Sequence, residues 1–206
     1  MLAFLFLAST SLKSQTKYKL KTTKQLIEKS RQIALNQIGE MEIKRNYSPQ
    51  IMKYLNSVNL TAPNPYCAAG QYYCFEQAAK LIKYNVKIPI YKTGSTRLMY
   101  NQAKNNGNKT KYLAAKDDLI VWKKGITQFG HIERIFNIDS NSKVWVTTIA
   151  FNVECGKKLN MKDNHNSTIT DNHKKEGVCF KRRNIYHILG RLSILGIIGF
   201  DTTQSN

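Results

Sequence analysis

The hydrophobic period of this chain changes once, near residue 110, and that change limits the fold more than any other feature. Before it the apolar residues recur at helical spacing. Leu26, Ile27, Ile33, Ala34, Leu35 and Ile38 share one face over residues 23–38, and Gly39 marks a stop. Ser48-Pro49 opens a second helix with Ile51, Met52 and Leu55 apolar. Pro63 and Pro65 punctuate the approach to a central helix, in which Ala68, Tyr72, Phe75, Ala79 and Ile82 run on toward Tyr84. Gly94-Ser95-Thr96 starts a further helical piece, and a polar loop spans 105–111. After the change come strands. Residues 119–122 are continuously apolar, 130–136 form a second strand, and 144–152 form a third, rich in β-branched and aromatic residues. The turn residues of 139–142 make a hairpin of the last two. Residues 178–180 and 194–200 supply further strands. Helices first and strands afterwards predict an α+β domain, with N-terminal helices packed on an antiparallel sheet, over about 23–200.

A length of 206 residues suits one such domain, and 42% hydrophobic content excludes wholesale disorder. The net charge of +19 stands out. It predicts attraction to polyanions: nucleic acid, anionic lipid or acidic wall polymer. No Lys/Arg run exceeds three residues and no nucleic-acid motif is present, so charge alone does not choose among them.

Residues 1–14 read as a signal-peptide core followed by small residues, or else as a buried N-terminal segment; the apolar run is too short to span a bilayer. Four cysteines are too few for a disulfide scaffold and none form a Cys-x-x-Cys pair. Cys155 and Cys179 bracket a polar stretch, 156–176, and pair if the compartment is oxidising. Cys74 falls on the same helical face as Cys67 and reads as core.

Cys67 is the chemical candidate. Pro65 just before it places it at the start of the central helix, where unpaired N–H groups and the helix dipole favour an anion. On position alone it is either a nucleophile or a small core residue. A histidine on an antiparallel strand decides for the nucleophile, because an imidazole can draw the thiol proton while a third polar group holds the ring. His131 begins one hairpin strand and Asn152 ends the next, so the hairpin can bring them side by side. His165, His173 and His187 lie in polar surroundings and read as solvated, as does the run Lys181-Arg182-Arg183.

These residues carry a resemblance. Tyr66-Cys67-Ala68-Ala69 resembles the aromatic-Cys-Ala-Ala nucleophile motif of the CHAP family, the cysteine- and histidine-dependent amidohydrolases/peptidases. Asp118-Leu119-Ile120-Val121-Trp122 resembles its Asp-led strand, and Gly130-His131-Ile132 its Gly-His-hydrophobic motif. The match runs from about 25 to 200. It departs from the family at Tyr66 (for Trp), Gly70 (for an aromatic), Asp117 (for Gly), Glu133 (for a small residue) and Ala150 (for a carboxylate). Related NlpC-type peptidases carry Asp-Cys-Ser at the nucleophile instead.

The resemblance implies a papain-like fold and a secreted or cell-envelope enzyme that hydrolyses peptide or amide bonds of peptidoglycan. It implies Cys67 as nucleophile, His131 as base and Asn152 as orienting group, with Glu154 as the alternative third member. Tyr66, Glu133 and Trp122 are the candidate substrate-binding residues. Glu133 shares a strand face with His131 and can raise its pKa. No cofactor or metal is implied, since the sequence has no Asp-rich loop for calcium. The expected partner is peptidoglycan or another anionic wall polymer, met by a monomer without a transmembrane span. The competing expectation is a degenerate basic module that binds wall polymer or nucleic acid, whose function would be lost as salt rises.

Overall fold

The computed structural model describes residues 15–82, 86–155 and 175–202. The expected signal segment 1–14, Tyr84, His165, His173 and most of the 156–176 loop lie outside the described residues. The described elements run β1 (Thr16–Lys21), α1 (Lys24–Leu35), α2 (Pro49–Ser57), α3 (Cys67–Leu81), α4 (Thr96–Asn106), β2 (Asn108–Thr110), β3 (Leu119–Lys123), β4 (Gly130–Ile138), β5 (Trp145–Glu154), β6 (Glu176–Asn184) and β7 (Ser193–Asp201). They build an α+β fold around one sheet of order β2-β1-β7-β3-β4-β5-β6.

The sheet is mixed, which corrects the expectation of a wholly antiparallel one: β1 runs parallel to β7. Among the described residues the first element, β1, starts at Thr16, ahead of the expected start of the domain near 23. Two strands escaped the sequence for the same reason. In β1 lysines alternate with apolar residues, which reads as a solvated stretch. Yet Lys17 is buried, and its Nζ donates to Asp118 Oδ2 (2.5 Å) and to the Leu113 carbonyl (3.0 Å). The three-residue β2 lies inside the polar loop and pairs only with β1.

Three helices open on a hydroxyl cap. Thr23 accepts from the Leu26 N–H, Ser48 from Ile51 and Ser95 from Leu98. Pro49 follows Ser48 at the first helical position, as the sequence predicts. Helix α3 differs: Tyr66 stands at its N-cap position and makes no side-chain cap. Its first N–H groups are left open at the residue that carries the thiol.

The sheet has a core on each face. Leu26, Ile27, Ile51, Leu55, Phe75 and Phe151 belong to the larger core, with the helices. Ile120, Trp122, Ile135, Val146, Ile185 and Ile197 form a smaller one. Strand β4 feeds both by alternation. Arg134 reaches toward α1, donating to the Ile27 carbonyl (3.2 Å) and the Ser30 hydroxyl (2.9 Å). His131, Glu133 and Ile135 take the other face.

Two departures from the CHAP motifs have local reasons. Asp117 has φ +74, the left-handed region that favours glycine. Its carboxylate accepts from Arg134 Nε (3.1 Å) and pairs with Arg31. At Gly70 a Cβ would lie 2.3 Å from Cδ1 of Phe151. The aromatic ring beside the nucleophile motif thus comes from β5 rather than from α3.

Candidate active site

One end of the sheet gathers the start of β4, the end of β5 and the start of β6, and the N terminus of α3 arrives at the same place. A cavity of about 720 Å³ there is lined by Cys67, Gly130, His131, Asn152, Glu154 and Glu176, among others. A second, of about 370 Å³, shares Cys67 and Gly130 but continues past Leu60, Thr96, Leu98 and Phe129. Cys67 therefore stands where two halves of a cleft meet.

His131 is the hub. Its Nε2 lies 3.0 Å from Glu133 Oε1, and Cys67 lines the same cavity as the imidazole. Burial disfavours a charged ring, but the hydrogen bonds and negative charge of Cys67 and Glu133 outweigh it and raise the His131 pKa to about 10. Glu133 is fully buried and its acceptor positions are all engaged. Arg183 clasps it with Nη2 on Oε1 (2.7 Å) and Nε on Oε2 (3.0 Å), and the Thr148 hydroxyl donates to Oε2 (2.6 Å). Burial opposes the carboxylate charge, yet the His131 and Arg183 bonds prevail and hold its pKa at about 2.

Asn152, expected to hold the His131 ring, is turned elsewhere. In the hairpin the register shifts once between Ile135 and Asn137, and Glu133 then lies opposite Ala150 and Arg134 opposite Ile149. Extending it would set His131 opposite Asn152. The pairing ends at Ala150, however, and β5 bulges against β6 between Phe151 and Val153. Asn152 takes φ +60 in that bulge. Its Oδ1 accepts from the Tyr66 N–H (3.1 Å), and its Nδ2 donates to Asn46 Oδ1 (3.1 Å) and to Glu176. None of these bonds goes to His131; Asn152 braces the turn into α3. Glu154 lines the larger cavity.

The three candidate substrate contacts are corrected by burial. Tyr66 is wholly enclosed against Tyr54, their ring centroids 6.1 Å apart. Trp122 is enclosed as well, pairs with His131 across β3 and β4 with rings 6.1 Å apart, and donates its indole N–H to the His187 carbonyl (3.2 Å). Glu133 meets only protein groups. All three shape or charge the site from behind and offer no surface to a ligand.

Arg183 and Thr148 are the residues the sequence did not single out. Alternation along β6 was the available signal: Arg182 and Arg183 must face opposite ways. Arg182 is largely exposed, stacked on Trp145 and paired with Asp139, as a solvated run predicts. Arg183 turns inward to the buried Glu133 carboxylate. Cys155 and Cys179 form a disulfide, and Cys179 sits opposite Ala150 in the sheet. Cys67 and Cys74 are free, and burial pushes the Cys74 thiol up to about 12. Among the described residues no group of three His, Cys, Asp or Glu side chains could hold a metal ion, and no helix is long and apolar enough to cross a membrane. Compared with models of protein families, with curated proteins and with solved structures, the chain matches none.

Proposed function

We propose that this protein is a papain-like cysteine hydrolase, with Cys67 as nucleophile, His131 as general base and acid, and Glu133 as the group that orients the imidazole. The observation that carries this reading is the His131–Glu133 hydrogen bond in the cavity that Cys67 shares at the open N terminus of α3. The thiol proton passes to His131. The sulfur attacks a peptide or amide carbonyl, and the oxyanion is met by the Cys67 N–H at the helix start. The tetrahedral intermediate then collapses, the C–N bond breaks and His131 protonates the leaving amine. Water, deprotonated by His131, releases the acid from the thioester and restores the thiol.

The substrate follows from the CHAP resemblance: a peptide or amide bond of peptidoglycan, cut outside the cell or in its envelope. Two departures from that family's pattern are offset by neighbours, which supports the reading. Ala150 lacks the family's carboxylate, and Glu133, directly opposite it, supplies one from the partner strand. Gly70 lacks the aromatic, and Phe151 fills its place. The disulfide suits an exported protein.

The test is mass analysis of purified peptidoglycan after incubation with wild type and with Cys67→Ala. Fragments with new amine and carboxylate ends from the wild type alone are the expected result. Intact polymer with both proteins would overturn the hydrolase reading.

A further inference from the structure

We propose that the β3–β4 hairpin tip, residues 124–129, docks on an anionic lipid surface. This goes beyond the hydrolase reading and does not depend on it. The first observation is exposed apolar side chains. Ile126 is 92% exposed and Phe129 56%, in a turn of only a few residues. Leu98 at the start of α4 is also exposed, and it lines the smaller cavity together with Phe129 and Lys92. Single exposed apolar residues are ordinary on a protein surface; a patch of them at a projecting tip marks an interaction site.

The second observation is charge. From Gln77 to Ile132 the only acidic residues are Asp117 and Asp118, while Lys or Arg recurs throughout. Both aspartates are buried and spoken for, by Arg134 and Arg31 and by Lys17. The surface of this stretch is therefore cationic with no carboxylate to offset it. Lys92 and Lys124 are exposed beside the apolar tip, and neither has an ion-pair partner among the described residues. Apolar side chains collared by lysines fit the boundary between acyl chains and anionic headgroups. A soluble polyanion would use the lysines but would gain nothing from Ile126.

The tip is also held in shape before any encounter. Arg97 Nη1 donates to the Ile126 and Thr127 carbonyls, the latter at 3.1 Å. Ser95 Oγ donates to the Gln128 carbonyl (3.2 Å), and Thr127 Oγ1 to the Lys124 carbonyl (2.7 Å). Little ordering is then left for docking to impose. Because Gln128, Phe129 and Gly130 line the cavity beside Cys67, docking would bring the cleft to the lipid surface.

The test is co-sedimentation of the full chain with vesicles of phosphatidylcholine alone and of phosphatidylcholine with phosphatidylglycerol, at about 0.1 M salt. Binding to the anionic vesicles is expected, with I126S/F129S weakening it by roughly tenfold or more. K92Q/K124Q should weaken it several-fold and flatten its salt dependence. Circular dichroism of each variant checks the fold. Absence of binding to anionic vesicles, or binding that I126S/F129S leaves unchanged, would overturn the proposal. So would retention on immobilised heparin as strong as on vesicles and indifferent to I126S/F129S, which would assign the face to a soluble polyanion.

Discussion

Glu133 and Arg134 are neighbours in β4, both fully buried, and each anchors a charged network on its own side of the sheet. Arg134 meets Asp117, Ser30, the Ile27 carbonyl and the face of Phe75. Every partner there is a fixed charge, a dipole or a ring, so that network joins α1 to the sheet. Glu133 meets Arg183, Thr148 and His131. One of its partners is an imidazole that lines the same cavity as Cys67. Both networks satisfy a buried charge, but only one passes that charge on to a group that can move a proton. Burial and pairing by themselves do not distinguish a structural ion pair from a catalytic one; the partner at the end of the chain does.

The largest expected effects separate the two sides. Asp117→Asn keeps a residue that tolerates φ +74 but strands the buried Arg134, so stability should fall by about 3–5 kcal/mol. Activity per folded molecule should survive. His131→Ala should also lose the stability of the bond to Glu133, but it alone should lower kcat per folded molecule, by roughly 10²–10⁴-fold. Chemical denaturation and peptidoglycan turnover, measured on both variants, decide it. Equal loss of activity per folded molecule in the two would erase the distinction.

The disulfide lies on the Glu133 side, since Cys179 is opposite Ala150 and Ala150 is opposite Glu133. Reducing it should cost about 2–4 kcal/mol in unfolding experiments. The His131–Glu133 bond belongs to other strands' side chains, so the pH profile of the reduced enzyme should keep its shape.

Charge on Glu133 should set the alkaline limit of activity. An imidazolium with a pKa of about 10 stays protonated well above neutrality. Glu133→Gln removes the negative charge while keeping a hydrogen-bonding amide, so the alkaline limb of kcat/KM should move down by roughly 1–3 pH units. An unmoved limb would mean that Glu133 does not govern the ring. Stability carries the same signature. His131 is raised from 6.5, so its contribution is complete below about 6.5 and is lost as pH rises through about 10. Glu133 is lowered from 4.5, so its contribution stands above about 4.5 and is lost as pH falls through about 2. Both are complete between those ordinary values, and the wild type should be most stable there.

Asn152→Ala should have the smallest effect. It removes the hydrogen bonds to the Tyr66 N–H, Asn46 and the Glu176 carboxylate at the entry to α3, worth about 1–3 kcal/mol, and loosens Cys67 through Tyr66. A loss of about tenfold in kcat/KM with an unshifted alkaline limb is expected. If the limb shifts as far as in Glu133→Gln, the ring is held by Asn152 as well.

What the sequence determined by itself is whatever depends on local spacing. The helix starts at Ser48, Ser95 and Cys67 follow from caps and prolines, and the strands of 119–122, 130–136 and 144–152 from β-branched and aromatic runs. The sequence put Cys67 at a helix start and His131 at a strand start, and both line one cavity. The tertiary structure decided what depends on partners distant in sequence. Lys17 becomes a strand residue because Asp118 neutralises it, and the first strand then lies parallel to the last. Asn152 leaves His131 because one extra residue in β5 rotates its side chain. Glu133 replaces it because Arg183, fifty positions along the chain, cancels the cost of burying a carboxylate behind the imidazole. A periodic pattern records which face a residue takes; it holds no record of which charge waits on the other strand.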